Sequence, residues 1–180
     1  MELYTARMQH SRETVRHFVR VQYDSFEWGR KLLMFVLSVA VILAGLASGT
    51  SLVAILCLFV GCILMTNSNA RADSVADDVI EAMHGSFPAL SYRFTAEGFT
   101  DGEDRPFVPY GRLFRLIDDG DWLCVFTSKA SGYMLRRDSV EGEGGADGLM
   151  RLLSEKSGLP WQKPFKLLSF RLRDILPMKR

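Results

Sequence analysis

Three histidines, three cysteines and 21 carboxylates are the side chains from which a reactive site would be built. Glu81-x-x-His84 puts a carboxylate and an imidazole on one helix face, the half-site spacing of di-iron bundles. Such a site needs two copies, and the chain has one. Glu13-x-x-x-His17 is the only partial complement, so a metal in a helical stalk would rest on His17, Glu81 and His84. Solvated helix faces account for the same residues. Gly142-x-Gly144-Gly145-x-x-Gly148 precedes a helix, as a dinucleotide loop would. In the G-x-G-x-x-G reading Asp147 stands where the last glycine belongs. Glu141, Glu143 and Asp147 would also repel a pyrophosphate. Asp118-Asp119-x-Asp121 lacks the glycine spacing and bidentate Glu of an EF-hand loop, and reads as a charged hairpin tip. Cys57, Cys62 and Cys124 share no ligand spacing and read as small buried apolar residues. No G-x-S-x-G, H-E-x-x-H or phosphate-loop motif occurs. The sequence therefore points to no catalytic residue, no metal ligand and no cofactor.

The elements that would position any site are far more legible. The 180 residues carry a formal net charge of +1, but the charge is segregated. Residues 1–31 carry +2, 32–70 none, 71–157 carry −6 and 158–180 carry +5. A charge-free block this long is the mark of membrane-spanning helix. One helix over all of 32–66 would be about 52 Å, too long for a hydrocarbon core of about 30 Å. Ala47-Ser48-Gly49-Thr50-Ser51 is small, polar and permissive of a tight turn. Two spans result, 31–47 and 52–66, with Phe26 and Trp28 at the outer interface. Ala40-x-x-x-Ala44 and Cys57-x-x-x-Gly61 put small residues one turn apart, the pattern that lets two helices approach closely. Trp28, Arg30, Lys31 and Arg71 flank the block on the terminal side, and the turn has no basic residue. Both termini are therefore expected in the cytoplasm, with the chain in the cell's inner membrane.

Residues 1–30 read as a short strand near Glu2, then a helix capped by Ser11 with Val15, Phe18, Val19, Gln22 and Phe26 on one stripe. Residues 67–86 read as a second amphipathic helix on Val75, Val79 and Met83, ended by Gly85 and Pro88. Side by side the two would form a stalk. From Leu90 the period changes to two. Tyr92, Phe94, 99–104, 105–110, 113–118, 122–127 and 133–137 read as strands, with Asp119-Gly120 as a hairpin turn and Trp122 as a core anchor. Residues 141–145 read as a flexible acidic link before a helix on Leu149, Leu152 and Leu153. The class expected for 87–158 is a small antiparallel β module closed by a helix, and for the whole chain an α+β membrane protein.

The tail, 159–180, is basic and amphipathic. Phe165, Leu168 and Leu172 share a helical face, and Lys163, Lys166, Arg171 and Arg173 supply charge, with Trp161 at the start. That pattern fits an interfacial helix on an anionic leaflet. The competing reading packs the tail on the β module.

The two-span hairpin, the helix after it, Tyr92-Arg93-Phe94 with Glu97-Gly98-Phe99, Val108-Pro109-Tyr110, Asp121-Trp122-Leu123 and Tyr133-Met134-Leu135-Arg136-Arg137 together resemble the YcxB-like proteins of bacteria. That resemblance implies a pleckstrin-homology-like C-terminal domain and a place in the membrane. It implies no chemistry. The functional expectation is a non-enzymatic, membrane-anchored binding module with membrane lipids and an unknown protein as partners, and no nucleic acid. The alternatives are a small accessory or immunity-type subunit acting through the hairpin, and a stalk-metal membrane enzyme.

Overall fold

The computed structural model describes residues 2–67, 70–102 and 105–164 of the chain. It opens with β1 (Tyr4–Gln9), followed by α1 (Arg12–Phe26), α2 (Trp28–Ala47), α3 (Ser51–Asn67) and α4 (Ala70–Ala82). Eight short strands follow: β2 (Ala89–Phe94), β3 (Gly98–Thr100), β4 (Val108–Pro109), β5 (Arg115–Asp119), β6 (Trp122–Phe126), β7 (Gly132–Arg136), β8 (Val140–Gly142) and β9 (Trp161–Gln162). Helix α5 (Gly145–Ser157) lies between β8 and β9.

The strands make two sheets, in the orders β4-β3-β2-β1-β8 and β7-β6-β5-β9. The strand expected near the start of the chain thus lies inside the first sheet. Residues Tyr4 to Gln9 pair with Phe94 to Ala89 on one side, and Tyr4 to Ala6 with Gly142 to Val140 on the other. The β module is consequently not confined to 87–158. It draws one interior strand, between β2 and β8, from before the apolar helices and the rest from after them.

Residues 141–145, expected as a flexible link, are instead a packed edge. Val140–Gly142 is β8, and Gly142 has φ +137. A Cβ there would lie 2.5 Å from the Tyr4 ring, and one on Gly148 would lie 2.2 Å from the Glu143 carbonyl oxygen. The glycines serve close approach, while the Tyr4 hydroxyl donates to the Glu143 carbonyl at 2.9 Å.

The second sheet is covered on both faces, so β6 buries four successive residues, Leu123 to Phe126. One face meets the first sheet, with Tyr133 edge-on to Phe99 at 5.0 Å and to Tyr92 at 6.2 Å. The other receives α1, whose Phe18 stacks on Phe126 at 5.4 Å and whose Phe26 meets it edge-on at 5.1 Å. Burying one such aromatic stabilises the fold by about 1.5–3 kcal/mol. Leu149 and Leu153 of α5 complete the same core.

Helix α1 begins where Ser11 and Thr14 cap each other reciprocally, a box that satisfies two otherwise orphaned donors. Its second face packs on α4, burying Val15 and Val19 against an Ala72, Ala76 and Ile80 stripe rather than the expected Val75, Val79 and Met83, because the small alanines let the two helices approach and leave Val79 exposed. Arg16 pairs with Asp77 at 2.6 Å and Arg20 with Asp73 at 3.0 Å, so the two helices run antiparallel as the expected stalk.

Helices α2 and α3 are long and apolar enough to cross a membrane. At about 1.5 Å per residue they span about 30 and 25 Å. They pack on each other, and most of their large side chains, including Leu33, Leu43, Ile55 and Phe59, face outward.

Candidate functional site

Among the described residues, two of the open grooves lie at the two ends of α1. The first is a groove of about 790 Å³ where the start of α1 meets the β6–β7 edge. Arg7, Glu13, Trp122, Arg136 and Asp138 line it. Strand alternation turns Arg7 outward while Ala6 and Met8 go to the core. Arg136 forks onto Asp138 and lies 5.8 Å over the Trp122 ring. Trp122 is half-buried rather than a sealed core anchor, because β6 reaches past the end of the covered region there. Beside it, His17 Nε2 stands 3.1 Å from the buried carboxylate of Asp119. His17 therefore faces the second sheet and not α4. His84 sits at the far end of α4 in a left-handed turn with φ 47. The stalk metal set is not brought together, and no cluster of three ligand-type residues exists among the described residues.

The second place is the junction of α1 and α2. The helix breaks at Glu27, whose φ is −113. The freed carbonyl of Ser25 accepts a hydrogen bond from Arg115, and the Arg115 guanidinium lies 4.6 Å over the Phe26 ring. Lys31, from the first turn of α2, reaches back across the break to Asp24. Both are buried, at 6 and 8 % exposure. A cavity of about 400 Å³ opens here, lined by Asp24, Ser25, Trp28, Arg115 and Lys163 among others.

The residues expected at the membrane boundary thus divide. Trp28 opens α2 half-exposed, and Arg71 is exposed on α4. Arg30 lies 3.5 Å from Glu27. Lys31 is no free interfacial charge, because Asp24 neutralises it inside the protein. Asp24 is not on the stripe read from the sequence for α1; the break at Glu27 lets Lys31 of α2 fold back onto it.

The expected helix seam also divides. Cys57 and Gly61 lie on it: Ser38 donates to the Gly61 carbonyl at 2.7 Å, and a Cβ on Gly61 would lie 2.5 Å from Ile42. Ala40 and Ala44 are exposed on the outer side of α2. Ser38 and Gly45 take their place, seven residues apart, and a Cβ on Gly45 would lie 2.3 Å from that of Cys57.

Trp161 is not available to a membrane surface. It pairs with Leu116 in the parallel β5–β9 ladder, and its indole donates to the Met150 carbonyl at 2.8 Å. Lys163 is exposed at the rim of the junction cavity. Phe165, Lys166, Leu168, Arg171, Leu172 and Arg173 lie outside the described residues.

Arg7, Asp24, Gly45, Arg115 and Arg136 are the site residues that sequence reading missed. Only Gly45 carries a signal, the seven-residue repeat with Ser38. Comparison with protein-family models, with curated proteins and with solved structures finds no match, so these roles rest on the geometry alone.

Proposed function

We propose that this protein is a non-enzymatic binding module anchored in the cytoplasmic membrane by a two-helix hairpin, with both termini on the cytoplasmic side. The observation that carries the reading is that the apolar helices are exposed along their length, yet both of their roots are built into one β module. β1 enters that module ahead of the hairpin, and β2 to β9 enter after it. A soluble protein would leave that much contiguous apolar surface in water, well beyond the few hundred Å² usual for a monomer. Lipid is the medium that removes the cost.

The module, two sheets with α5 seated in their core, is then of pleckstrin-homology-like type, as the resemblance to YcxB-like proteins implies. Its strand from before the hairpin is a departure from a module formed by one continuous segment. The groove around Arg7, Trp122 and Arg136 is where a protein partner docks, offering two guanidinium groups and an aromatic ring at one edge.

Membrane flotation after a urea wash tests the anchor: the full chain should rise with the lipid fraction. A chain left in the soluble fraction would end the reading. A photo-crosslinking residue at Ser91, which borders the groove, should then yield one discrete adduct in cells, and the same residue at Glu155 on α5 should not.

A further inference from the structure

We infer that the cavity at the α1–α2 junction binds the anionic headgroup of a phospholipid, with Arg115 as its main ligand and Lys163 as its second. The inference rests on the membrane reading above and names a partner that reading leaves open.

The cavity's position comes first. Trp28 is the first residue of α2 and is 50 % exposed, an amphipathic ring at the depth where headgroups lie. One turn further on, Leu32 and Leu33 begin the exposed apolar surface of the hairpin. A molecule with its head in the cavity therefore has a continuous apolar path along α2 for its chains.

Charge comes second. The cavity wall holds Arg115, Lys163 and Asp24. Asp24 is already matched by Lys31 behind it, so its charge is spent inside the protein. Arg115 spends one N–H on the Ser25 carbonyl, and this bond, with the Phe26 ring beneath, fixes the guanidinium plane. Its other N–H groups have no partner among the described residues, and neither does the Lys163 ammonium. Arg115 and Lys163 give this wall two cations; Lys163 also borders Asp118, which Arg137 pairs, and Asp119, which His17 faces. A guanidinium held in one plane presents the fork that matches two phosphate oxygens, and the ammonium adds a point charge. Phe114, adjacent to Arg115 in sequence, is 46 % exposed and 5.9 Å from the same Phe26 ring, a second exposed aromatic near this junction. A phosphate on an apolar tail satisfies both the charged wall and the apolar exit. A free phosphate satisfies only the first.

The test uses the full chain in mild detergent, offered equal amounts of phosphatidylglycerol and phosphatidylcholine, with bound lipid counted by native mass spectrometry. The expected result is one retained phosphatidylglycerol per chain. Lys163→Gln, at an exposed position, should lower the phosphatidylglycerol-to-phosphatidylcholine ratio about fivefold, as removal of one basic side chain near an anionic lipid does. Arg115→Gln should lower it further, and Arg115→Lys should restore part of the loss. Inorganic phosphate at matching concentration should not displace the lipid. Equal retention of the two lipids, an unchanged ratio in Lys163→Gln, or displacement by inorganic phosphate would each overturn the inference. A chain that floats with membranes but shows no headgroup preference loses this site and keeps its anchor. A chain that does not float loses both.

Discussion

Lys31 and Asp24 are seven residues apart, on opposite sides of the break at Glu27, and meet because α1 and α2 do not form one straight rod. A buried pair of this kind contributes little net stability, because desolvation offsets the attraction, but removing one partner strands the other charge. Lys31→Met alone should lower the stability of the detergent-solubilised chain by about 3–5 kcal/mol, while Asp24→Leu with Lys31→Met should cost much less. Thermal melts of the singles and the double provide the cycle, and additive losses would remove the pair from the account. His10 carries a second residue-level consequence. It is half-buried between β1 and α1, its Nδ1 has no hydrogen-bond partner, and burial pushes its pKa below the ordinary 6.5. The folded state then binds fewer protons than the unfolded chain. Its stability contribution is full above the ordinary 6.5 and is lost as pH falls from there through the lower folded-state pKa. His10→Gln should therefore flatten the fall in melting temperature between neutral pH and about pH 5. A parallel fall in both proteins would locate the acid sensitivity elsewhere.

The elements were legible where a single period ran long enough. The two apolar helices, the turn at Ser48–Gly49, the Ser11 cap and the Asp119-Gly120 hairpin all follow from patterns within one segment, whereas the face by which α4 joins the stalk does not. The face of α2 that meets α3 did not, because Ala40 and Ala44 offer the same small-residue signal as Ser38 and Gly45. Only the partner helix decides between them. β8 was read as a link for a related reason: Val140-Glu141-Gly142 has little strand propensity, and its partner, β1, lies more than 130 residues away. Arg115 was invisible as a junction residue because the carbonyl it caps exists only where the helix breaks. The seam gives a direct test at this scale. Gly45→Val should disrupt the hairpin, because its Cβ has no room beside Cys57, and Ala44→Val should leave it intact. The measurement is the yield of full chain surviving mild detergent extraction as a sharp, helical species. Equal tolerance of the two substitutions would mean that α2 is rotated relative to this description.

The molecule as a whole is a stitched object. The chain lays down a strand, leaves through α1, runs out and back through α2 and α3, and returns along α4 to build the sheets around the strand it left behind. A fragment beginning at Phe87 would lack an interior strand of its first sheet, so module and hairpin are best studied in one chain. On the proposed anchoring, this arrangement decides which parts share a side of the membrane. In that proposal Arg30 and Arg71 carry the orientation signal, because Lys31 is paired with Asp24. On the same proposal the module and both roots of the hairpin lie on one side and the Ser48–Thr50 turn on the other. Single cysteines at Thr50 and at Lys129, in a chain with Cys57, Cys62 and Cys124 replaced by serine or alanine, measure this directly. With a membrane-impermeant maleimide, intact cells should label the Thr50→Cys chain alone, and inside-out vesicles the Lys129→Cys chain alone. Labelling of both positions from the same side, or recovery of the chain without membrane, would contradict the account.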